Sequence, residues 1–193
     1  MLFRSLVIAE VKDLALNGGK PLVYWRRAFH RLFVEYTFLQ DGAALEDFMQ
    51  RWKSGTLSKS AWTHGAHVAM AAYFAFDYPA DEAFELTKAG ILHFNACVGA
   101  PNTEHSGYHE TLTRLWSHVV GDFVRKGRFE SRLDAVRGAV GRFGEDRDRH
   151  RLYYSFDVVR DPAARRSWVP PDRNAPTAYC GGAAAPGPQS HSV

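Results

Sequence analysis

The chain has 193 residues, of which 46% are hydrophobic and 23% charged, with a formal net charge of +3. That is the make-up of one globular domain with tails, long enough to bury a core. The mild charge excludes a strongly basic nucleic-acid binder, since Glu145, Asp146 and Asp148 intersperse the arginines of the C-terminal third and no basic-aromatic motif accompanies them.

No run of about 18 apolar residues is present, so no transmembrane helix is expected. Lys12 and Asp13 interrupt the first apolar patch too early for a secretory signal. Leu2-Phe3-Arg4-Ser5 matches the translation of a common sequencing adapter, so the first residues are expected to be non-native. Cys97 and Cys180 have no zinc-type spacing, and a disulfide between them is not expected. A reducing cytoplasm is the compartment this composition suggests.

Glycine, proline and polar clusters divide the chain into helical segments without strand alternation. Leu6 to Leu16 reads as a helix ended by Asn17-Gly18-Gly19, and Pro21 to Leu39 as an aromatic-rich helix. Leu45, Phe48, Met49 and Trp52 share one helical face, and Gly55 ends that helix. Ser58 or Ser60 is expected to cap a small-residue helix running to about Phe76. Pro79 opens a further helix with a stripe of Ala83, Leu86, Thr87, Gly90, Ile91, Phe94 and Val98, closed at Gly99. A polar loop follows, then a helix from about Gly107 to Arg125 with Leu112, Trp116, Val119, Val120, Phe123 and Val124 inward. Phe129, Leu133, Val136, Val140 and Phe143 mark another, stopped at Gly144, and Asp161-Pro162 caps a short helix to about Trp168. The expected fold is an all-α bundle of four main helices with flanking short ones. Residues 1–43 form an N-terminal extension, 44–172 the helical domain, and 173–193 a disordered Ala/Gly/Pro/Ser-rich tail.

Chemistry concentrates in two histidine motifs, Trp62-Thr63-His64-Gly65-Ala66-His67 and Gly107-Tyr108-His109-Glu110-Thr111-Leu112-Thr113. An α-helix turns about 100° per residue, which puts His64 and His67 on the face of Val68, Ala71 and Ala75, and His109 on the stripe of Leu112 and Trp116. Three inward imidazoles from two helices suit a divalent ion: zinc with an open water position, or iron if a carboxylate joins. Glu110 is the candidate carboxylate and catalytic base, although it lies roughly 120° from the stripe centre and equally suits the positive helix end. Thr113 is a candidate partner of His109, or a core hydroxyl. Trp62, Tyr108 and Trp116 read as pocket walls, and His105 as a candidate at its rim. Asn102 and Thr103 suit either ligand contact or turn formation. His93 falls on a flank, and His30, His118 and His150 have no partners in motif spacing.

These motifs, with Asn102-Thr103, Ser106, Tyr154-Ser155, the Ala163 to Arg165 segment and Trp168 to Asp172, resemble a family of small uncharacterised bacterial helical proteins. The resemblance covers roughly residues 44 to 172 and implies that these positions form one site, without implying an activity. A weaker, architectural similarity is to DinB-like metal-dependent bundles, which draw three histidines from a four-helix bundle; here the paired spacing and the order differ.

The first functional expectation is therefore a divalent-metal-binding helical protein, in which His64, His67 and His109 hold zinc or iron and Glu110 assists an enzyme acting on a small molecule. The second is a non-catalytic module that binds a small molecule or a partner helix in a pocket walled by Trp62, Tyr108 and Trp116. The third is a helical scaffold with structural histidines. Neither nucleic acid nor membrane is expected as a partner, and the sequence sets no oligomeric state.

Overall fold

The computed structural model describes residues 36–174, whose regular structure is entirely helical. Six α-helices run in order: α1 (Gly42–Lys53), α2 (His64–Asp77), α3 (Ala80–Cys97), α4 (Glu110–Lys126), α5 (Arg132–Phe143) and α6 (Pro162–Arg166). Short 3-10 turns lie at Thr37–Leu39, Lys59–Ala61 and Arg147–Leu152. None of the described helices is long and apolar enough to cross a membrane. The helix expected over Leu6–Leu16, most of that over Pro21–Leu39, and the tail beyond Asn174 lie outside the described residues.

The bundle is organised around α2. Gly65, Ala66 and every residue from Val68 to Ala75 are buried, so this helix is covered on nearly all sides. Its alanines let neighbouring backbones approach closely, and α5 and α4 pack against it most extensively, with α3 alongside. The expected stripe of α1 is buried as Leu45, Phe48, Met49 and Trp52. On α3 the buried set is Ala83, Phe84, Thr87, Ile91, Phe94 and Asn95. Gly90 lies against the Trp52 indole so closely that an added Cβ would sit 1.8 Å from a ring carbon.

Two helix starts differ from expectation. The chain makes a 3-10 turn at Lys59–Ala61, and Thr63 then caps α2 by accepting from the amide of Ala66, so neither Ser58 nor Ser60 is that cap. Helix α4 begins at Glu110, and His109 is its N-cap. The buried face also differs from the expected stripe: Thr111, Leu115, Val119, Val120 and Val124 are buried, while Leu112 and Trp116 are only partly covered.

The domain also starts earlier than residue 44. Tyr36 and Leu39 are in the core, Asp41 caps α1, and Arg137 donates to the carbonyls of Leu39 and Gln40 at 2.9 and 2.7 Å. At the other end, residues 153–174 form a strap over the bundle. Thr111 Oγ1 donates to the carbonyl of Ser167 and accepts from the amide of Val169. Tyr154 donates to the carbonyl of Val169, and Arg165 reaches the carbonyls of Gly107, Tyr108 and Val159. The strap ends with the Arg173 amide on the carbonyl of Tyr153 and Asn174 on that of Leu152.

The contact of Gly90 with Trp52 sets a test of this packing. Gly90→Ala gains about 1 kcal/mol of helix propensity, yet it forces a buried indole to move, which typically costs about 1–3 kcal/mol. We expect a net loss of stability in urea titrations. Gly42→Ala, with no atom within 4 Å of the new methyl, should leave the midpoint unchanged or raised. A stabilised Gly90→Ala protein would refute the close approach.

Candidate functional site

A cavity of about 470 Å³ lies between the first turns of α2, the middle of α3, the start of α4 and the turn at Arg147–Leu152. Both histidine motifs reach it, through Trp62, His64 and His67 on one side and through Gly107, Tyr108, His109 and Thr113 on the other. Trp116 forms part of the wall, and Met70, Ala71, Ile91 and Leu112 supply apolar surface.

Each imidazole is held by a backbone carbonyl, which fixes its tautomer because only an N–H can donate there. His64 donates from Nε2 to the carbonyl of Phe143 at 3.2 Å, and its ring meets Trp116 edge-on with centroids 4.7 Å apart. His67 donates from Nδ1 to the carbonyl of Thr63 at 2.8 Å, and its ring lies 4.0 Å from that of Trp62. Thr63 therefore caps α2 with its hydroxyl and orients His67 with its carbonyl. The second nitrogen of each ring, Nδ1 of His64 and Nε2 of His67, has no protein partner among the described residues. Burial pushes the His64 imidazole below its ordinary pKa and the His67 imidazole down to about 4, so both are neutral at neutral pH.

His109 differs from the other two. Its Nε2–H donates to the carbonyl of Val158 at 2.9 Å, and its Nδ1 accepts from the amide of Leu112 at 3.3 Å. Both nitrogens are thus occupied, one by the strap and one by the helix it caps. No lone pair remains for a metal, and the expected trio of His64, His67 and His109 is not assembled. Among the described residues, no three His, Cys, Asp or Glu side chains are grouped to hold an ion.

Glu110 is likewise committed. Only 8% exposed, its carboxylate pairs with Lys88 at 2.8 Å, accepts from the Tyr108 hydroxyl at 2.9 Å, and lies 3.9 Å from the Arg114 guanidinium. It ties α3 to α4 and does not line the cavity. Thr113 lines the cavity and makes no hydrogen bond to His109, whose two ring nitrogens bond to Val158 and Leu112, and burial together with the Glu110 carboxylate pushes the Tyr108 phenol upward in pKa. His105 is exposed in the preceding loop and away from the cavity wall. Asn102 and Thr103 build that loop. Asn102 Oδ1 accepts from the Asn95 amide and the Tyr108 backbone, and Thr103 Oγ1 accepts from the amides of His105 and Ser106. Gly107 takes φ +78, and a Cβ there would strike Asn102 Oδ1 at 2.5 Å.

Four cavity residues had no motif to announce them. His150 is 9% exposed and donates from Nδ1 to the carbonyl of Arg147 at 3.0 Å. Arg147 stands at the wall beside it. Thr87 and Ser117 present hydroxyl oxygens that are buried and have no hydrogen-bond partner among the described residues. Thr87 is 3% exposed, so its hydroxyl is withdrawn from bulk water as well. Their only sequence signal is a polar residue on an otherwise apolar helical stripe, which Thr87 shows clearly.

The neutral imidazoles make stability depend on pH. The His67 pKa falls from 6.5 unfolded to about 4 folded, so the unfolded chain binds more protons between those values. Stability is complete above pH 6.5 and is lost as pH falls through the folded value, by on the order of 3 kcal/mol for this group. His67→Gln should flatten the slope between pH 6.5 and 4 in urea titrations; an unchanged slope would show that the ring is not held neutral.

Comparison with known proteins yields no match to any family model, curated protein or solved structure.

Proposed function

We propose that this chain is a small-molecule-binding helical module whose ligand occupies the cavity between the two histidine motifs. The observation that carries this reading is the buried, unpartnered Thr87 hydroxyl on the wall of a cavity of about 470 Å³. Small-molecule sites typically measure about 300–1,000 Å³, are mainly apolar and aromatic, and carry a few convergent polar groups. Trp62, Trp116, Met70 and Ile91 supply the first kind of surface. Thr87, Ser117 and the second nitrogens of His64 and His67 supply the polar groups. An unpaired buried hydroxyl costs about 1–3 kcal/mol, which a hydrogen-bonding ligand recovers.

Binding fits this chemistry better than catalysis. Glu110, the sequence's candidate base, is engaged by Lys88 and Tyr108, and His109 is used as a cap and a peg for the strap. The test is calorimetry and thermal shift with small neutral aromatic alcohols and amides. Fragments should bind with dissociation constants of about 0.1–1 mM, Thr87→Val should weaken them about 3- to 10-fold, and Ala71→Phe, which fills the cavity, should abolish binding in a folded protein. Binding that survives Ala71→Phe, or a complete absence of fragment binding, would refute the proposal.

A second reading keeps a divalent metal, zinc or iron, on His64 and His67. It is favoured by one observation: each ring donates its N–H to a backbone carbonyl and keeps the other nitrogen without a partner, which is how metal-binding imidazoles are usually held. His109 does not fit this role. Stoichiometric zinc after loading and desalting, lost in His67→Ala, is the expected result under this reading; its absence from the unmodified protein would remove it.

A further inference from the structure

We infer that the occupant of the cavity is a monocarboxylic acid with an apolar or aromatic body, its carboxylate bound by Arg147 at the mouth. This rests on the binding reading above and adds the charge and polarity of the ligand.

The argument begins with the charges of the wall. Arg147 and Asp148 are the charged side chains that line the cavity. Asp148 has a partner in Arg151 at 3.5 Å. Arg147 makes no hydrogen bond or ion pair through its side chain among the described residues. The two arginines that follow it in the same turn are engaged: Arg149 with Asp146 at 2.9 Å and Arg151 with Asp148 at 3.5 Å.

A lone guanidinium presents a planar fork of N–H donors that matches a planar carboxylate in a bidentate pair. The wall carries a single guanidinium beside the Asp148 carboxylate, and so suits a monoanion better than a phosphate dianion. The other polar groups of the wall differ in polarity. The tautomers of His64 and His67 leave a lone pair on each ring, which accepts hydrogen bonds and repels an anion. The Thr87 and Ser117 hydroxyls of the same wall can either donate or accept. The acid therefore enters body first, with its carboxylate at Arg147 and any N–H or O–H of the body directed at the imidazoles, between the indoles of Trp62 and Trp116.

Calorimetry with matched acids and amides tests this. Indole-3-acetate and indole-3-acetamide form the aromatic pair, and cyclohexylacetate and cyclohexylacetamide the aliphatic one. In the unmodified protein we expect the acid of at least one pair to bind about 10-fold tighter than its amide. Arg147→Gln should bring acid and amide within about 2-fold of each other, and Arg147→Lys should restore part of the preference. Equal binding of acids and amides by the unmodified protein would overturn the carboxylate assignment and leave the binding reading in place. An acid preference that survives Arg147→Gln would overturn the role of Arg147. Failure of all four compounds, together with the neutral fragments, would overturn both.

Discussion

The burial of α2 is the constraint on which the rest of the structure depends. A helix with no polar side must be enclosed by its neighbours, and one rich in alanine leaves them little side-chain bulk to hold them off. Helices α5 and α4 close two of its flanks, α3 lies alongside, and Trp52 of α1 reaches Phe74 on α2, with ring centroids 6.3 Å apart. Enclosure ends at the first turn of α2, where His64 and His67 stand. There the wall is completed by the turn at Arg147–Leu152 and by Trp62, Tyr108 and Trp116. The cavity is thus the place where the packing of the central helix stops. Thr63 sits at that transition and sets both the start of the helix and the aim of His67.

The second motif serves a different purpose from the first. Its glycine makes the left-handed turn, and Tyr108 and Glu110 join α4 to Lys88 of α3. His109 caps α4 and anchors the strap through Val158, and Thr111 anchors it again through Ser167 and Val169. Four successive residues therefore hold together α3, α4 and the C-terminal strap. Removing Lys88 would leave the buried Glu110 carboxylate without its closest cation, although Lys88 itself is one-third exposed. The density of these contacts reflects the demands of a joint that carries one wall of the cavity. His64 and His67 face the cavity with unused nitrogens, so the chemistry available to a ligand lies with them.

Local periodicity made the helices legible, because the residues that bury α1, α3 and α5 repeat at helical spacing. It also identified both motifs, which do meet at one cavity. The limits of legibility have physical causes. The role of His109 depends on the Val158 carbonyl, 49 residues away, and nothing in the neighbouring sequence signals that bond. The expected inward position of His109 is observed, since it is 6% exposed, but α4 starts at Glu110, so His109 serves as its cap, and Leu112 and Trp116 line the cavity. His150 and Arg147 lie in an arginine-rich 3-10 turn whose composition reads as solvated surface, yet folding sets it against His64. Spacing arguments work within one helix; these residues are brought in by contacts between elements.

The polarity of the cavity follows from the same backbone contacts. A carbonyl that accepts the proton-bearing nitrogen of an imidazole also determines which nitrogen keeps a lone pair, and burial keeps that ring neutral. Phe143 and Thr63 therefore make the inner wall a set of fixed acceptors through groups that carry no side-chain chemistry of their own. Domain stabilities are only about 5–15 kcal/mol, so an unpaired Thr87 hydroxyl at about 1–3 kcal/mol is a substantial departure from a fully satisfied core. Such departures from satisfied packing are expected at functional sites. Imidazole acceptors, hydroxyls of either sense and a guanidinium without a partner among the described residues share one wall, and the proposed ligand gains from each group it matches.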